Sequence, residues 1–421
     1  MLPDALLTPE EVTVRNEVRE FVRTEVPTDL LHRMDRDEIT YPREFVHALG
    51  QHNLLGLRFS RKYGGRGLSW AAELASLEEV GVLGTSLGCA FSMPSIVGEA
   101  LHTFGTEDQK QQFLVPMLRG ELISAEALTE PRGGSDFFGA TTRAEPEDGW
   151  FTVKGQKRFV VGAEGADFFL VYCNTNPEAP SHQRLSLLLI ERARHGVEVK
   201  YLYHLLGTRG GGTGRLVFRD VRVPKANLVG ELNQGAEIFN TMMVPERLTS
   251  AAGALGGARA ALEVAVRYSS RRRAFGQKIR NFQAVSFKVA DAITKLDAAR
   301  ALTLSAGRAA EAGLPGARRL VSEAKRFATD TAWEIVNLAI QIVGGIGYTN
   351  VFPLERMLRD IRLTQIWTGT NEIMNLLIQH EFYGEVLGDL SPGRLVEADA
   401  AEAAADDEKV YEDQEMWIKG W

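Results

Sequence analysis

Glu246 stands in Val244-Pro245-Glu246-Arg247-Leu248, where a carboxylate could serve as a general base. A Glu beside an Arg on an amphipathic helix is more ordinarily half of a surface ion pair, so both readings stay open on these residues alone. Far along the chain, Thr368-Gly369-Thr370 lies within Gln365-Ile366-Trp367-Thr368-Gly369-Thr370-Asn371-Glu372, a turn of small residues that lets backbone approach a ligand. Glycines and hydroxyls gather again in Glu126-Ala127-Leu128-Thr129-Glu130-Pro131-Arg132-Gly133-Gly134-Ser135-Asp136, where the first helical stretch gives way to strands. Backbone amides there could meet a flat or anionic ligand while Thr129 and Ser135 bond to ring heteroatoms, although a Gly-Gly-Ser-Asp turn is common by itself. In Lys157-Arg158-Phe159-Val160-Val161-Gly162 the Phe159 ring could pack on such a ligand or fill a β core.

Two further stretches raise the question of phosphate chemistry. A guanidinium in Arg271-Arg272-Arg273-Ala274-Phe275-Gly276, followed by Asn281-Phe282-Gln283, could pair with a pyrophosphate; the alternative is a basic cluster countering a helix dipole. Gln341-Ile342-Val343-Gly344-Gly345-Ile346-Gly347 is rich in glycine but follows an expected helix over residues 322–342. A dinucleotide fingerprint follows a strand and opens a helix, so this segment reads as a glycine helix cap.

The elements that must position these groups change texture twice. Residues 9–119 read as helical, Val14, Val18, Phe21 and Val22 sharing one face, with a loop at Gly64-Gly65-Arg66-Gly67 and a helix start at Thr106. Short β-rich runs follow at 150–153, 168–172, 185–190 and 216–218, separated by Gly, Pro, Asn and Asp. Helices return from Gly235, with Gly313-Leu314-Pro315-Gly316 as a turn between two long ones. The small residues from Ser250 to Gly257 suit a helix that packs closely on another surface. The fold class is therefore α+β: an N-terminal helical domain (1–121), a small middle β-domain (122–234), a C-terminal helical bundle (235–390) and an acidic, aromatic tail (391–421).

Composition narrows the function. A net charge of −7 argues against nucleic acid as the main partner. Cys89 and Cys173, the only cysteines, are too few for a disulfide framework or a cysteine metal site and read as buried thiols, so no metal is expected. No apolar run is long enough for a membrane span, and residues 1–15 lack a basic leader with an apolar core. The ending Lys419-Gly420-Trp421 is no targeting signal, so a cytoplasmic location is expected.

Taken together, these segments resemble the FAD-dependent acyl-CoA dehydrogenases over residues 1–390. Many members carry the catalytic glutamate where Thr368 stands, whereas the long-chain and isovaleryl branches place it on an earlier helix in a Glu-Arg-Leu context like that of Glu246. The resemblance implies α,β-dehydrogenation of an acyl-CoA with Glu246 as base, hydride transfer to flavin N5, and an electron-transfer flavoprotein as acceptor. It implies FAD contacts at Leu128, Thr129, Gly134, Ser135, Phe159, Val161, Arg272, Phe275, Gln283, Thr370 and Glu372, with Gln341, Gly344 and Gly345 serving a neighbouring subunit's FAD in a homotetramer built as a dimer of dimers. Substrate contacts fall to Ser135, Arg247, Thr368 and Gly369. Arg132 replaces the family's small residue, and Val161 replaces a Thr or Ser hydroxyl near flavin N5, which bears on flavin tuning. An acyl-CoA oxidase or flavin oxygenase on the same fold is the rival enzyme reading, and a non-catalytic acyl-CoA-binding relative the non-enzyme one.

Overall fold

Thr8 opens the first long helix, Pro9–Thr24, with a reciprocal cap: Glu11 N–H donates to the Thr8 hydroxyl, and Thr8 N–H to the Glu11 carboxylate. Val14, Val18 and Phe21 then fall on its buried face, as their spacing requires. Thr106 makes the same kind of cap with Gln109. This computed structural model describes residues 4–388 and 394 of the 421, so the expected tail lies outside the described residues apart from Arg394. The chain divides into two units, and the first, Met1–Ile378, holds the helical layers and the sheet.

The N-terminal layer is completed by helices Arg43–Gln51, Trp70–Gly81 and Thr85–Phe104. Every residue of Trp70–Gly81 is buried, its glutamates included. Buried carboxylates need cations. Arg259 therefore bonds Glu79 at 2.9 and 2.7 Å, and Arg300 bonds Glu78 at 2.9 and 2.8 Å, tying this helix to Gly235–Arg271 and Gln283–Glu311. The small-residue stretch gives the close approach expected of it. A Cβ on Gly256 would lie 2.4 Å from Glu78 O, and one on Gly81 would lie 2.6 Å from Gly253 O.

Eight strands form the middle sheet: β1 (Ser124–Ala127), β2 (Arg143–Glu147), β3 (Trp150–Val160), β4 (Phe168–Asn174), β5 (Leu185–Glu191), β6 (Val197–Leu202), β7 (Gly214–Pro224) and β8 (Leu228–Val229). Their order is β6-β7-β3-β2-β4-β5-β8, with β1 parallel to β4. The four apolar runs read from sequence became β3, β4, β5 and β7, each longer than expected. β2 and β6 gave no such signal, because β2 buries only Ala144 and β6 buries none of its residues fully. The antiparallel β3–β7 register slips between Lys157 and Val160, and this irregularity determines where Phe159 goes.

Three long helices, Gly235–Arg271, Gln283–Glu311 and Ala317–Val343, pack through an alanine-rich core, and Gly344 ends the third at φ 74° as a cap. Leu354–Thr364 and the start of Asn371–Leu387 follow. Among the described residues, no helix is long and apolar enough to cross a membrane. The fold is the expected mixture of helical layers around a small sheet.

Candidate active site

A cavity with about 940 Å3 of empty space, open solvent at its mouth included, lies between helices, strands and a loop. Helix Thr85–Phe104 supplies Cys89, Ser92, Met93 and Ile96, and helix Gly235–Arg271 supplies Met243, Glu246 and Ser250. Glu126, Leu128, Thr129, Phe159 and Val161 come from β1, β3 and the chain just beyond them, and Trp367 and Thr368 from the loop after Leu354–Thr364. Six residues singled out in the sequence thus share one cavity: Leu128, Thr129, Phe159, Val161, Glu246 and Thr368.

Glu130 fixes the Leu128–Thr129 wall from beneath. Its buried carboxylate accepts from Thr141 N–H (2.6 Å), Thr141 Oγ1 (2.7 Å), Thr142 N–H (2.9 Å) and Lys157 Nζ (2.9 Å), and Lys157 also donates to Leu128 O at 3.1 Å. Burial pushes the Glu130 pKa up, but Lys157 and these hydrogen bonds outweigh it and bring the group to about 2.

Phe159 owes its position to the register slip in β3. Arg158 N–H leaves the sheet ladder to donate to Thr129 O at 2.7 Å, and Phe159 takes φ 53° with its ring 48 % exposed. A left-handed aromatic residue is strained, and such bulges re-aim side chains beside sites. Thr368 is a second outlier, a β-branched residue at φ 51°. Trp367 Nε1 donates to Ser250 Oγ at 2.7 Å, while Lys325 Nζ donates to Gly369 O and Asn371 Oδ1, both at 2.8 Å, holding the turn from either side. Among the described residues, Thr368 N–H donates to no protein acceptor, and its buried Oγ1 has no partner.

The cavity's charges are unusual. Burial raises the Glu246 carboxyl above its ordinary range, although Glu126 and Arg247 both pull it down. Glu126 is pushed up further, by burial and then by Glu246, and neither of its carboxylate oxygens meets a donor. Cys89 is half-buried against this cavity instead of lying in the core as its composition-based reading had it, and burial with the Glu246 charge keeps its thiol protonated. Lys325, fully buried, is brought down to about 7 by burial and by the Arg247 charge.

Other expected residues stand elsewhere. Arg247 is buried beside Glu246 in sequence but does not line the cavity, and Gly134 and Ser135 are exposed outside it. Gly369 and Thr370 continue the turn from Thr368, and Glu372 is exposed at the start of Asn371–Leu387. Arg272 shares a second, open cleft with Tyr268, Gly344, Gly345 and Ile346. Gln283, Gln341 and Phe275 are exposed, the last at φ 49°.

Sequence reasoning missed Glu126 and Lys325 as residues of the site. A signal existed for Glu126. Strand side chains alternate, so it shares the facing of Leu128 two residues on.

With this geometry in hand, comparison with known proteins gives the family. Models described as the N-terminal, middle and C-terminal domains of acyl-CoA dehydrogenase match residues 8–121, 125–221 and 233–382. The chain belongs to the acyl-CoA dehydrogenase family, FAD-dependent oxidoreductases acting on CH–CH groups. It is 34 % identical over 381 residues to an acyl-CoA dehydrogenase of Bacillus subtilis, covering 90 % of this chain and 99 % of that one. It is 31 % identical to subunit CarC of a caffeyl-CoA reductase-Etf complex of Acetobacterium woodii, covering 87 % and 96 %. Among solved structures, butyryl-CoA dehydrogenase from Megasphaera elsdenii superimposes with a TM-score of 0.85 at 31 % identity, covering 89 % and 98 %.

The residues present fit FAD. The exposed, strained Phe159 ring and the unpartnered Thr368 N–H and Oγ1 offer a face and donors, and a Cβ added to Gly344 or Gly345 would meet nothing within 4 Å.

Proposed function

We propose that the protein oxidises an acyl-CoA thioester to a trans-2-enoyl-CoA, with Glu246 removing the α-proton. One observation carries this reading: a half-buried carboxyl, raised by its surroundings, lines a cavity in which the Thr368 amide has no acceptor. A raised carboxyl is a stronger base, and a free N–H can polarise a thioester carbonyl, making the α-carbon more acidic. Thr368 itself has no carboxylate, so the base role falls to Glu246. Bound FAD would supply the hydride acceptor for the β-carbon.

Leu128, Thr129, Phe159 and Val161 would line the flavin ring, with Gly134, Ser135, Thr370 and Glu372 nearer its edges, and Ser135, Thr368, Gly369 and Arg247 would serve the substrate. Arg272, with Phe275, Gln283, Gln341, Gly344 and Gly345, would hold the adenine and pyrophosphate end of FAD from a neighbouring subunit in a homotetramer. Their distance in role is supported by the separate, open cleft that Arg272 shares with Gly344 and Gly345. Bounds of 1–121, 122–234 and 235–390 are the domain division we favour, with a cytoplasmic location. An electron-transfer flavoprotein is the acceptor this reading prefers, in keeping with the Etf complex of the relative above. An oxidase is the second reading, favoured by Val161, which brings no hydroxyl to the cavity wall; oxygen consumption on turnover separates the two.

The acyl wall, Thr85 to Ile96, carries no cation, and both acidic groups of the cavity disfavour a dicarboxylic acyl chain. Anaerobic bleaching of the bound flavin across linear, branched and cyclic acyl-CoA esters is the direct test. Failure of every ester to bleach it would overturn the proposed reaction.

A further inference from the structure

Glu126, on β1, lines the same cavity as Glu246 and is only 7 % exposed. Among the described residues, neither of its buried carboxyl oxygens has a hydrogen-bond partner. A carboxylate anion buried with no donor and no cation is costly, and a second carboxylate on the same cavity adds a repulsion that burial leaves unscreened. Glu126 must therefore hold a proton.

Among the described residues, no surrounding element supplies a cation to Glu126. Tyr172 on β4 is held neutral by burial and by both carboxyls, and its hydroxyl donates to Met242 Sδ at 3.1 Å. Cys89, from helix Thr85–Phe104, stays a thiol. Arg158 on β3 lies over the Phe159 ring at 5.1 Å and donates from Nε to the Tyr203 hydroxyl at 3.3 Å. Arg247 acts on Glu246, its neighbour in the chain, and so favours the charge there.

Resting on the assignment of Glu246 as base, we propose that Glu126 is its positioning residue: it holds the single proton of the pair and donates it as a hydrogen bond to the Glu246 carboxylate. Glu246 is then the member left ionised for the substrate. When the α C–H bond breaks, its proton goes to Glu246 and the electron pair stays with the substrate. The carboxyl pair becomes doubly protonated and neutral, and it releases one proton before the next turnover.

The test compares Glu126→Leu and Glu126→Gln with the wild-type holoenzyme, using the pH dependence of anaerobic flavin reduction. In Glu126→Leu the Glu246 carboxylate loses its donor, so the acidic limb of the profile should move upward by about one to two pH units, the size expected for a hydrogen bond to a buried charge. Glu126→Gln keeps an N–H donor and should leave the limb near its wild-type position. A merely structural role would lower the rate at every pH without moving that limb. Infrared difference spectra provide a second readout independent of turnover: the band of a protonated buried carboxyl, present at neutral pH in the wild type, should vanish in Glu126→Gln. An unmoved limb in Glu126→Leu, or survival of that band in Glu126→Gln, overturns the proposal. Glu246→Gln separates the two claims. If it abolishes flavin reduction while the Glu126→Leu limb stays put, the base stands and the shared proton falls; if it reduces flavin normally, the base assignment itself fails.

Discussion

Glu246 and Thr368 line one cavity from two different elements, a long helix and the loop after Leu354–Thr364, although the chain between them runs through two further long helices. The relationship lets the base role proposed for Glu246 reach the same cavity that Thr368 walls with its backbone. Glu246→Gln should retain flavin and ligand, because the amide preserves shape, and should slow flavin reduction by about 100- to 10,000-fold. Adding Thr368→Glu should recover part of that rate, since it returns a carboxylate to the other wall of the same cavity. Stopped-flow reduction by a substrate found in the ester panel measures both. Near-normal reduction in Glu246→Gln would leave the cavity without its base.

The Glu130–Lys157 pair is a stability device beneath the site. Glu130 lies at about 2 in the folded protein against 4.5 as its ordinary value, so its stabilising contribution is complete above about pH 4.5 and is lost as pH falls toward 2. Glu130→Gln leaves the fully buried Lys157 without its carboxylate and should cost about 3–5 kcal/mol, the loss expected on breaking a buried ion pair. Urea unfolding of the holoenzyme from pH 6 down to the onset of acid unfolding should show a shallower acid dependence in the variant. An unchanged urea midpoint at neutral pH would mean that the pair contributes nothing to the wall it supports.

How much of this was readable from sequence divides along physical lines. Helices announced themselves by periodicity, as at Val14, Val18 and Phe21, and by a cap at Thr106, because those signals are local. β2 was silent because its paired backbone carries mostly exposed charged side chains. Phe159 could be named as a possible ring contact, but its re-aimed, left-handed geometry comes from the slip between β3 and β7, which only the folded pairing reveals. Glu126 opened a segment of interest but carried no role of its own, because its place on the same cavity as Glu246, from a helix more than a hundred residues on, exists only in the folded chain. The company Arg272 keeps with Gly344 and Gly345 likewise depends on helix packing across about seventy residues of chain.

That second cleft leads to the remaining prediction. Arg272, Gly344, Gly345 and Ile346 share an open cleft, and close to them along the chain Phe275 is 95 % exposed and Tyr348 is 82 % exposed. Large apolar side chains left so open near a cation and unobstructed glycines suit a surface that meets another subunit and the phosphate end of its cofactor. Arg272→Ala should therefore purify with a reduced flavin-to-protein ratio. Its remaining flavin should be lost more readily on dilution than the wild type's, because subunit and cofactor leave together. Absorbance ratios combined with light scattering during size-exclusion chromatography measure both quantities. A monomeric Arg272→Ala protein carrying its full complement of FAD would show that this cleft serves neither the neighbour nor its cofactor.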